Sequence, residues 1–266
     1  MTRLAVLIPH YNNTQGLLRS VQSIAADDPG DVYVVDDGSP SPPTTEQIQS
    51  AVAGDRAVRL IALTENAGIE TALNTGLDAI VTAGYEFVAR LDCGDLNVGR
   101  RFSLQVEYMD AHPNVILLGG AARFVDPQGE TLFVRQMPTK HADIARFMRA
   151  NNAFMHPSVV MRSSAVSRVG HYPTRFPAAE DYAYFWSFVE AGEVANLPDV
   201  LIDYEVDPAS ISRSKRDRQL RSRLQVQRLH SDGSLGARAA ILRTRLLLAA
   251  PVGLVDRVKA RMYGQP

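Results

Sequence analysis

Two carboxylates that follow a short apolar segment are the residues of this chain most suited to chemistry. Residues 86–95 read EFVARLDCGD, so the apolar segment ends in Asp92 and Asp95, with Cys93 and Gly94 between them. In an open α/β sheet, ligands bind beyond the carboxyl ends of the strands. Two acids held there are hard oxygen ligands, and they suit a Mg²⁺ or Mn²⁺ ion that also binds the phosphates of a ligand. The alternative interpretation is an ordinary Asp/Gly turn after a strand.

A second pair of acids, Asp36 and Asp37, follows the apolar residues 32–35 (VYVV). If both strands border one crevice, Asp36 can accept hydrogen bonds from a base or ribose, as an acid at a strand end does in dinucleotide folds. Asp92 and Asp95 would then hold a metal ion on a diphosphate in the same cleft. An ordinary turn at Asp37 is again the alternative.

The elements that must position these acids follow from the hydrophobic periodicity. Continuous apolar runs predict buried strands, and apolar residues at helical spacing predict helices between them. The predicted strands are residues 4–8, 32–35, 58–63 and 87–91, and the predicted helices begin near residues 14, 44 and 69. This alternation predicts an α/β fold with a doubly wound, mostly parallel sheet and helices on both faces.

The pattern changes after residue 95, where strands and helices no longer alternate regularly. The predicted helices are residues 98–111, 142–148 and 180–192, and the predicted strands are 115–118, 121–125, 131–134, 159–161 and 200–204. The sequence Asp-Pro-Gln-Gly between two of these strands predicts a hairpin. From residue 214 onward the pattern predicts only helices.

Composition excludes several classes of protein. The 266 residues are 45% hydrophobic, which is ample for a sizeable core, and the net charge of −1 gives no general attraction to nucleic acid. Cys93 is the only cysteine, so an intrachain disulfide and a cysteine-built zinc cluster are excluded, and a reducing compartment is expected. The longest apolar run, residues 246–255, contains Pro251 and falls short of the ~18 residues that cross a membrane. We expect a soluble protein or one that lies on a membrane surface.

Residues 206–266 form a basic region on an otherwise acidic chain. Residues 213–228 carry seven Lys and Arg residues against one acid, Asp217, and Leu220 and Leu224 begin an apolar stripe. The pattern predicts a basic amphipathic helical extension, and such helices bind anionic membrane surfaces. A helical homodimer interface and a solvated helix face are the alternatives.

Five segments of the chain resemble one known family. They are IPHYNN from residue 8, VYVVDDGSPSP from 32, LTENAGIETALNTGLDAI from 63, FVARLDCGDLNVGRRFSLQ from 87 and AEDYAYFW from 179. Their order and spacing resemble those of family 2 glycosyltransferases of the GT-A fold, over about residues 3–204. The resemblance implies transfer of a sugar from a UDP- or dTDP-type nucleotide donor, with inversion at the anomeric carbon. The implied acceptor is a saccharide or a lipid-linked saccharide, in the synthesis of a cell-surface polysaccharide or glycoconjugate.

The resemblance also implies a role for each matching residue. Asp181 matches the general base, which takes the proton of the acceptor hydroxyl as it attacks, and Glu180 is its catalytic neighbour. Asp92 and Asp95 match the metal motif. His156, which precedes Pro-Ser, is a candidate contact for the diphosphate or the metal, with an ordinary loop histidine as the alternative. The residues matched to the nucleotide pocket are Pro9, Tyr11, Asn12, Asp36, Asp37, Asn66, Gly68, Arg90 and Asp92.

One position departs from the family pattern. The family motif reads Asp-Xaa-Asp-Asp, and Gly94 stands where its middle Asp is a usual metal ligand. Asp92 and Asp95 remain to hold Mg²⁺ or Mn²⁺. The alternative is that basic residues neutralise the leaving diphosphate without a metal.

The sequence therefore predicts a cytoplasmic enzyme whose C-terminal helices would meet the inner face of the cell membrane or a second copy of the chain. Residues 1–205 would form the transferase domain, with a nucleotide-binding half (1–97) and an acceptor-binding half (98–205). A nucleotidyltransferase is the first rival, but residues 10–13 (HYNN) are not the Gly-rich basic loop that such enzymes carry after the first strand. The second rival is a protein that binds a nucleotide sugar but has lost catalysis. Gly94, in place of the usual metal ligand, is consistent with this alternative.

Overall fold

The computed structural model describes residues 2–206 and 216–250, and a nine-stranded sheet lies at the centre of this part of the chain. Its strands are β1 Leu4–His10, β2 Asp31–Asp36, β3 Val58–Ala62, β4 Phe87–Arg90, β5 Leu96–Asn97, β6 Val115–Val125, β7 Thr131–Arg135, β8 Val160–Arg162 and β9 Glu193–Glu205. The spatial order is β3-β2-β1-β4-β8-β6-β9-β5, and β7 pairs with β6. Strands β1 to β4 run parallel, whereas β8, β7 and β5 are antiparallel to their neighbours. The predicted doubly wound, mostly parallel sheet is confirmed.

Helices cover both faces of this sheet. They are α1 Thr14–Gln22, α2 Thr45–Ala51, α3 Ile69–Thr82, α4 Arg101–Ala111, α5 His141–Met148, α6 Ser163–Val169, α7 Glu180–Ala191, α8 Arg216–Leu229 and α9 Leu235–Ala249. Strand β1 shows why its apolar run is continuous. Ala5 and Leu7 pack into one core, and Leu4, Val6 and Ile8 pack into the core on the opposite face. Alternate residues of a strand point to opposite faces, so a strand covered on both sides must be apolar throughout.

Strand β6 differs from the sequence-based prediction of two separate strands. Gly119 and Gly120 suggested a break, but they lie inside one strand that pairs with β9 along its length. A Cβ on Gly119 would lie 2.3 Å from Oδ1 of Asn196, and a Cβ on Gly120 would lie 2.4 Å from Cδ1 of Leu201. These glycines therefore allow the side chains of β9 to approach closely, and they do not form a turn. The first half of β9, helix α6 and the short strand β5 were not predicted.

Helix α8 packs directly against α7. Val226 is fully buried in the core that also contains Trp186. The Trp186 ring stacks on His230, which follows α8, with ring centroids 4.6 Å apart. The boundary predicted after residue 205 thus separates segments of the chain that share one core. The basic residues Arg213 and Lys215, and those after residue 250, lie outside the described residues.

None of the helices in the described part of the chain is long and apolar enough to cross a bilayer.

Asp28 caps helix α4, although it lies far from that helix in the sequence. Arg100, the N-cap residue, makes no capping hydrogen bond with its side chain. The buried carboxylate of Asp28 instead accepts hydrogen bonds from the backbone N–H groups of Phe102 (3.0 Å) and Ser103 (2.7 Å). Free N–H groups at a helix start need an acceptor, and the helix dipole favours a negative charge there. Asp28 thereby fixes the start of α4, which carries the buried Arg101.

We expect Asp28→Ala to lower the free energy of unfolding by about 1–3 kcal/mol, because it leaves two buried N–H groups without an acceptor. Urea denaturation followed by circular dichroism measures this change. Asp27→Ala is the matched control, since the exposed Asp27 pairs only with the exposed Arg100 at 3.2 Å and such pairs contribute about 1 kcal/mol or less. Equal losses in the two variants would contradict the capping role.

Candidate active site

The carboxyl ends of β1, β2 and β4 lie side by side at one edge of the sheet. β1 pairs in parallel with both β2 and β4, so it lies between them. Neighbouring strands are about 4.8 Å apart, which brings the residues that follow these strands into one region. This arrangement positions His10, Asp36 and Arg90 along the edge, with Asp92 just beyond β4.

Asp36 is buried and its two carboxylate oxygens already have partners. Its Oδ1 lies 2.6 Å from Nδ1 of His10 and accepts a hydrogen bond from Oγ of Ser39, and its Oδ2 accepts from the Ser39 N–H. Burial raises the pKa of Asp36, but the hydrogen bonds from Ser39 and His10 outweigh burial and leave it below its usual value. The backbone N–H of Asn13 donates to Nε2 of His10 (3.2 Å), so Nδ1 carries the proton that faces Asp36. Asp36 therefore joins the end of β2 to the end of β1.

Asp37 holds the loop before helix α3. Its two carboxylate oxygens accept hydrogen bonds from the backbone N–H groups of Ala67 (2.8 Å) and Gly68 (3.1 Å). Asn66, next to these residues, is exposed. Of the residues that the family resemblance assigns to the nucleotide pocket, those with accessible side chains thus lie in loops. They are Tyr11, Asn12 and Asn66, while Pro9 is half-buried at the end of β1.

Arg90 connects the end of β4 to Asp92. Its side chain is fully buried, and its guanidinium donates to the carbonyl of Leu7 (2.7 Å) and pairs with Oδ1 of Asp92. The other oxygen of Asp92 lies 3.9 Å from Nδ1 of His156. The Asp92 side chain is about one-quarter exposed, at 28%. The guanidinium of Arg90 is therefore turned toward protein groups and orients Asp92.

His156 and Tyr172 form a buried pair beside Asp92. Nε2 of His156 lies 2.9 Å from the Tyr172 hydroxyl. Burial lowers the pKa of His156 and raises that of Tyr172, and the charges of both Asp92 and Asp181 act on the two groups. Asn74 of α3 holds the backbone of Tyr172 through two hydrogen bonds, at 2.8 and 3.1 Å. Asp92 and Asp181, 89 positions apart in the chain, thus lie within electrostatic range of the same pair of rings.

Asp95 is oriented differently from Asp92. Its carboxylate is buried and accepts a long hydrogen bond from the backbone N–H of Glu205 (3.4 Å). Burial, and then the charge of Asp92, raises the pKa of Asp95 well above its usual range. Gly94 between them has a φ angle of +108°, a conformation in which an aspartate would be strained. This loop therefore excludes the family's middle Asp for a conformational reason.

Asp181 lies at the start of α7, where two donors orient it. Its Oδ2 accepts a hydrogen bond from Nδ2 of Asn152 (2.8 Å), and its Oδ1 accepts from the backbone N–H of Tyr182 (2.7 Å). Oδ1 of Asn152 in turn accepts from the Phe154 N–H (3.1 Å), so the amide nitrogen must face Asp181. The sequence analysis did not identify Asn152, since an Asn-Asn pair before an apolar segment has no distinctive spacing.

Glu180 precedes Asp181 and is also buried. Its Oε2 has no hydrogen-bond partner. Burial, and then the charge of Asp181, raises the pKa of Glu180 to about 8. At neutral pH the site therefore holds a protonated carboxyl group next to Asp181.

Glu180 should make stability depend on pH in a specific way. Its folded pKa of about 8 lies above the value near 4.3 of an unfolded glutamate, so the folded state binds more protons between these pH values. Stability is therefore lost as pH rises through this window, by about 1.4 kcal/mol for each unit of pKa difference. We expect Glu180→Gln to flatten this decline in urea denaturation between pH 5 and pH 8.5.

Glu107→Gln is the control for that measurement, because Glu107 is exposed and its neutralisation should leave the pH dependence unchanged. Parallel stability curves for the wild type and Glu180→Gln would show that Glu180 has an ordinary pKa.

Solved structures of known proteins share the fold of this chain. The solved structure of S. aureus TarS 1–349 in complex with UDP superposes with a TM-score of 0.61 at 17% identity, over 93% of this chain and 70% of that one. The mannosyltransferase PcManGT from Pyrobaculum calidifontis, solved with GDP-Man and Mn²⁺, gives 0.60 at 20% identity, over 93% and 70%. These neighbours establish the GT-A fold that the sequence predicted.

Sequence relatives identify the family. The amylovoran biosynthesis glycosyltransferase AmsE of Erwinia amylovora is 31% identical over 236 residues, covering 85% of this chain and 84% of the relative. An Escherichia coli UDP-Gal:alpha-D-GlcNAc-diphosphoundecaprenol beta-1,3-galactosyltransferase is 25% identical over 190 residues, covering 70% and 66%. The model of glycosyl transferase family 2 matches residues 5–170. With this match over more than half of its length, the chain belongs to glycosyl transferase family 2.

Proposed function

We propose that this glycosyltransferase inverts the anomeric centre of a UDP- or dTDP-type sugar as it transfers the sugar to a saccharide or lipid-linked saccharide. The observation that supports this most is that Asp92 lies 3.9 Å from His156 and that the charges of both Asp92 and Asp181 act on the His156–Tyr172 pair. An acid that serves the diphosphate and an acid that serves the acceptor must lie on two sides of one sugar, which this arrangement allows. Amylovoran biosynthesis by one relative and a lipid-diphosphate acceptor in another suggest synthesis of a polysaccharide or glycoconjugate.

Asp181 is the proposed general base. An acceptor hydroxyl is a poor nucleophile, and a carboxylate that removes its proton during attack accelerates the reaction. The hydrogen bonds from Asn152 and Tyr182 fix the direction of the Asp181 carboxylate. Glu180 beside it has a pKa of about 8, raised by burial and then by the charge of Asp181, and so holds a proton at neutral pH. The remaining contribution comes from the alignment of donor and acceptor.

Asp92 is the proposed residue that holds a divalent cation. No group of three or more His, Cys, Asp or Glu side chains is arranged to bind a metal within the residues that the structure describes. Mg²⁺ commonly binds through one or two carboxylates together with substrate phosphates, and the partly exposed Asp92 fits this mode. The buried Asp95, whose pKa is raised well above its usual range by burial and then by the charge of Asp92, does not. A bound cation would neutralise charge that develops on the leaving diphosphate.

Loop residues would form the nucleotide pocket. Tyr11, Asn12 and Asn66 offer accessible groups, and Asp36 and Asp37 would act mainly by holding these loops. Helix α9 would face an anionic membrane surface, because its outer side presents exposed leucines next to arginines. The exposed leucines are Leu235, Leu242 and Leu246.

We expect Asp181→Asn to lower the rate of transfer by at least ~10²-fold, the contribution of a general base, and to leave nucleotide binding intact. Transfer is measured with a radiolabelled nucleotide sugar, and binding of UDP by calorimetry. Glu107→Gln is again the control for loss of a surface carboxylate. Full transfer by Asp181→Asn would refute Asp181 as the base.

We expect EDTA to abolish transfer and Mn²⁺ to restore it. Asp92→Asn should raise the Mn²⁺ concentration that gives half-maximal activity by about tenfold or more. Loss of a residue that only supports a metal ligand already weakens metal binding by that factor. Asp95→Asn should leave that concentration unchanged, because its carboxylate faces the end of β9. Transfer that persists in EDTA would mean that fixed positive groups neutralise the diphosphate.

A further inference from the structure

A chain of hydrogen bonds joins helix α8 to Asp181. Nε2 of the buried Gln227 donates to the carbonyl of Ala150 at 2.8 Å. Two residues later, Nδ2 of Asn152 donates to Oδ2 of Asp181 at 2.8 Å. Gln227 and Asp181 are therefore connected through one short stretch of backbone, although they lie far apart in the sequence.

Gln227 is the main side-chain partner of the Ala150 carbonyl. A carbonyl oxygen only accepts hydrogen bonds, so the amide nitrogen of Gln227 must face it. Oε1 of Gln227 is buried and has no hydrogen-bond partner within the described part of the chain. The neighbouring Arg223 also donates to the Ala150 carbonyl, but at the longer distance of 3.4 Å. The single strong bond of the Gln227 side chain is thus the one that holds Ala150.

Side chains of three elements hold the backbone on both sides of Asn152. The donors are Tyr182 of α7, Gln227 of α8 and Asn196 of β9, and the carbonyls that accept are those of Met148, Ala150 and Ala153, respectively. These contacts restrict where the Asn152 side chain can lie. Without Gln227, the backbone just before Asn152 would lose its shortest contact with α8.

Helix α8 also contacts the turn that leads into α7. Ala178 has a φ angle of +63°, a left-handed conformation that is unfavourable for a residue with a Cβ. A residue keeps such a conformation only where the surrounding structure holds it. Oγ of Ser222 donates to the carbonyl of the preceding Pro177 at 2.9 Å. Helix α8 thus holds the turn before Asp181 as well as the segment that contacts Asp181.

Packing fixes α8 against α7 between and beyond these polar contacts. Val226 is fully buried in the shared core, and His230 stacks on Trp186 of α7 with ring centroids 4.6 Å apart. Nδ1 of His230 also lies 2.7 Å from Oε1 of Glu190, near the end of α7. The position of Gln227 is therefore fixed relative to the helix that carries Asp181.

We propose that Gln227 is a positioning residue for the transfer reaction, because it holds the segment from which Asn152 orients Asp181. A general base must point at the hydroxyl that it deprotonates, and a small displacement of reacting groups lowers the rate strongly. Gln227 acts through Asn152, since its own hydrogen bond goes to the backbone of Ala150. This inference rests on the proposed function, because it takes Asp181 as the general base.

Hydrogen exchange tests this arrangement without any substrate. Two backbone N–H groups report on it, because that of Phe154 donates to Asn152 and that of Tyr182 donates to Asp181. Gln227→Met keeps the length of the side chain but removes its donor, so we expect both amides to exchange roughly tenfold faster than in the wild type. Exchange is measured by NMR on the full-length chain. Unchanged exchange at both amides would overturn the proposal.

Gln225→Met is the matched control. Gln225 is the same residue type on the same helix, two positions before Gln227, and it is exposed. Its substitution should change the exchange of neither amide. If Gln227→Met lowers the melting temperature, Gln227→Asn is the second variant, because it keeps the amide but withdraws it by one methylene, and the same faster exchange is expected. An equal effect of Gln225→Met would indicate a general loosening of α8 and would contradict the proposal.

Kinetics separate positioning from general structural support. We expect Gln227→Met to lower kcat for transfer from a radiolabelled UDP-sugar by roughly tenfold and to leave the affinity for UDP unchanged. In a chain that already carries Asn152→Ala, the same substitution should lower kcat by less than about twofold, because effects that pass through one residue are not additive. Effects that multiply in the double variant would show that Gln227 does not act through Asn152, and the proposal would be wrong.

The inference and the proposed function can fail separately. Faster exchange of the two amides in Gln227→Met, in a chain that transfers no sugar, would refute the function and retain the link between α8 and Asp181. Loss of transfer in Asp181→Asn, together with wild-type exchange and wild-type kcat in Gln227→Met, would retain the function and refute the positioning role.

Discussion

The pairing of the buried Arg90 with Asp92 is the interaction on which the site depends. Arg90 is fully buried, and a buried guanidinium without a partner would be strongly destabilising. Its contacts with Leu7 and Asp92 join β1, β4 and the loop after β4. Arg101, also buried, donates to the carbonyls of Arg90 and Pro157. The end of β4, the start of α4 and the His156 segment are therefore held as one unit.

Helix α8 extends this unit to Asp181. Gln227 and Arg223 bind the carbonyl of Ala150, and the chain from there leads to Asn152 and so to Asp181. Ser222 donates to the carbonyl of Pro177 (2.9 Å), just before α7. A basic helix that appears in the sequence as an extension thus supports Asp181, the proposed general base. The helix has this second role because only part of its surface is polar, and Val226 is in the core.

Buried carboxyl groups in this site differ in role because their surroundings differ. Asp36 keeps its charge through hydrogen bonds from Ser39 and His10, whereas burial, and then the charge of Asp181, raises the pKa of Glu180. Burial likewise raises the pKa of Asp95. Acids of the same chemical type therefore divide into anchors that keep their charge and buried groups whose pKa is raised. This division is determined by local donors and by burial.

The sequence by itself determined the mostly parallel sheet, the strands and helices of its first half and the candidate acids, because apolar runs and strand-end residues are local patterns. It also determined the family through five ordered motifs. Only the tertiary structure decided that Gly119 and Gly120 lie within a strand, since the side chains that approach them come from β9. The hydrogen bonds that occupy Asp36 and Asp37 and the proton on Glu180 were likewise decided by the fold. Each depends on contacts between residues distant in the chain, and no local pattern in a single sequence encodes which distant groups will meet.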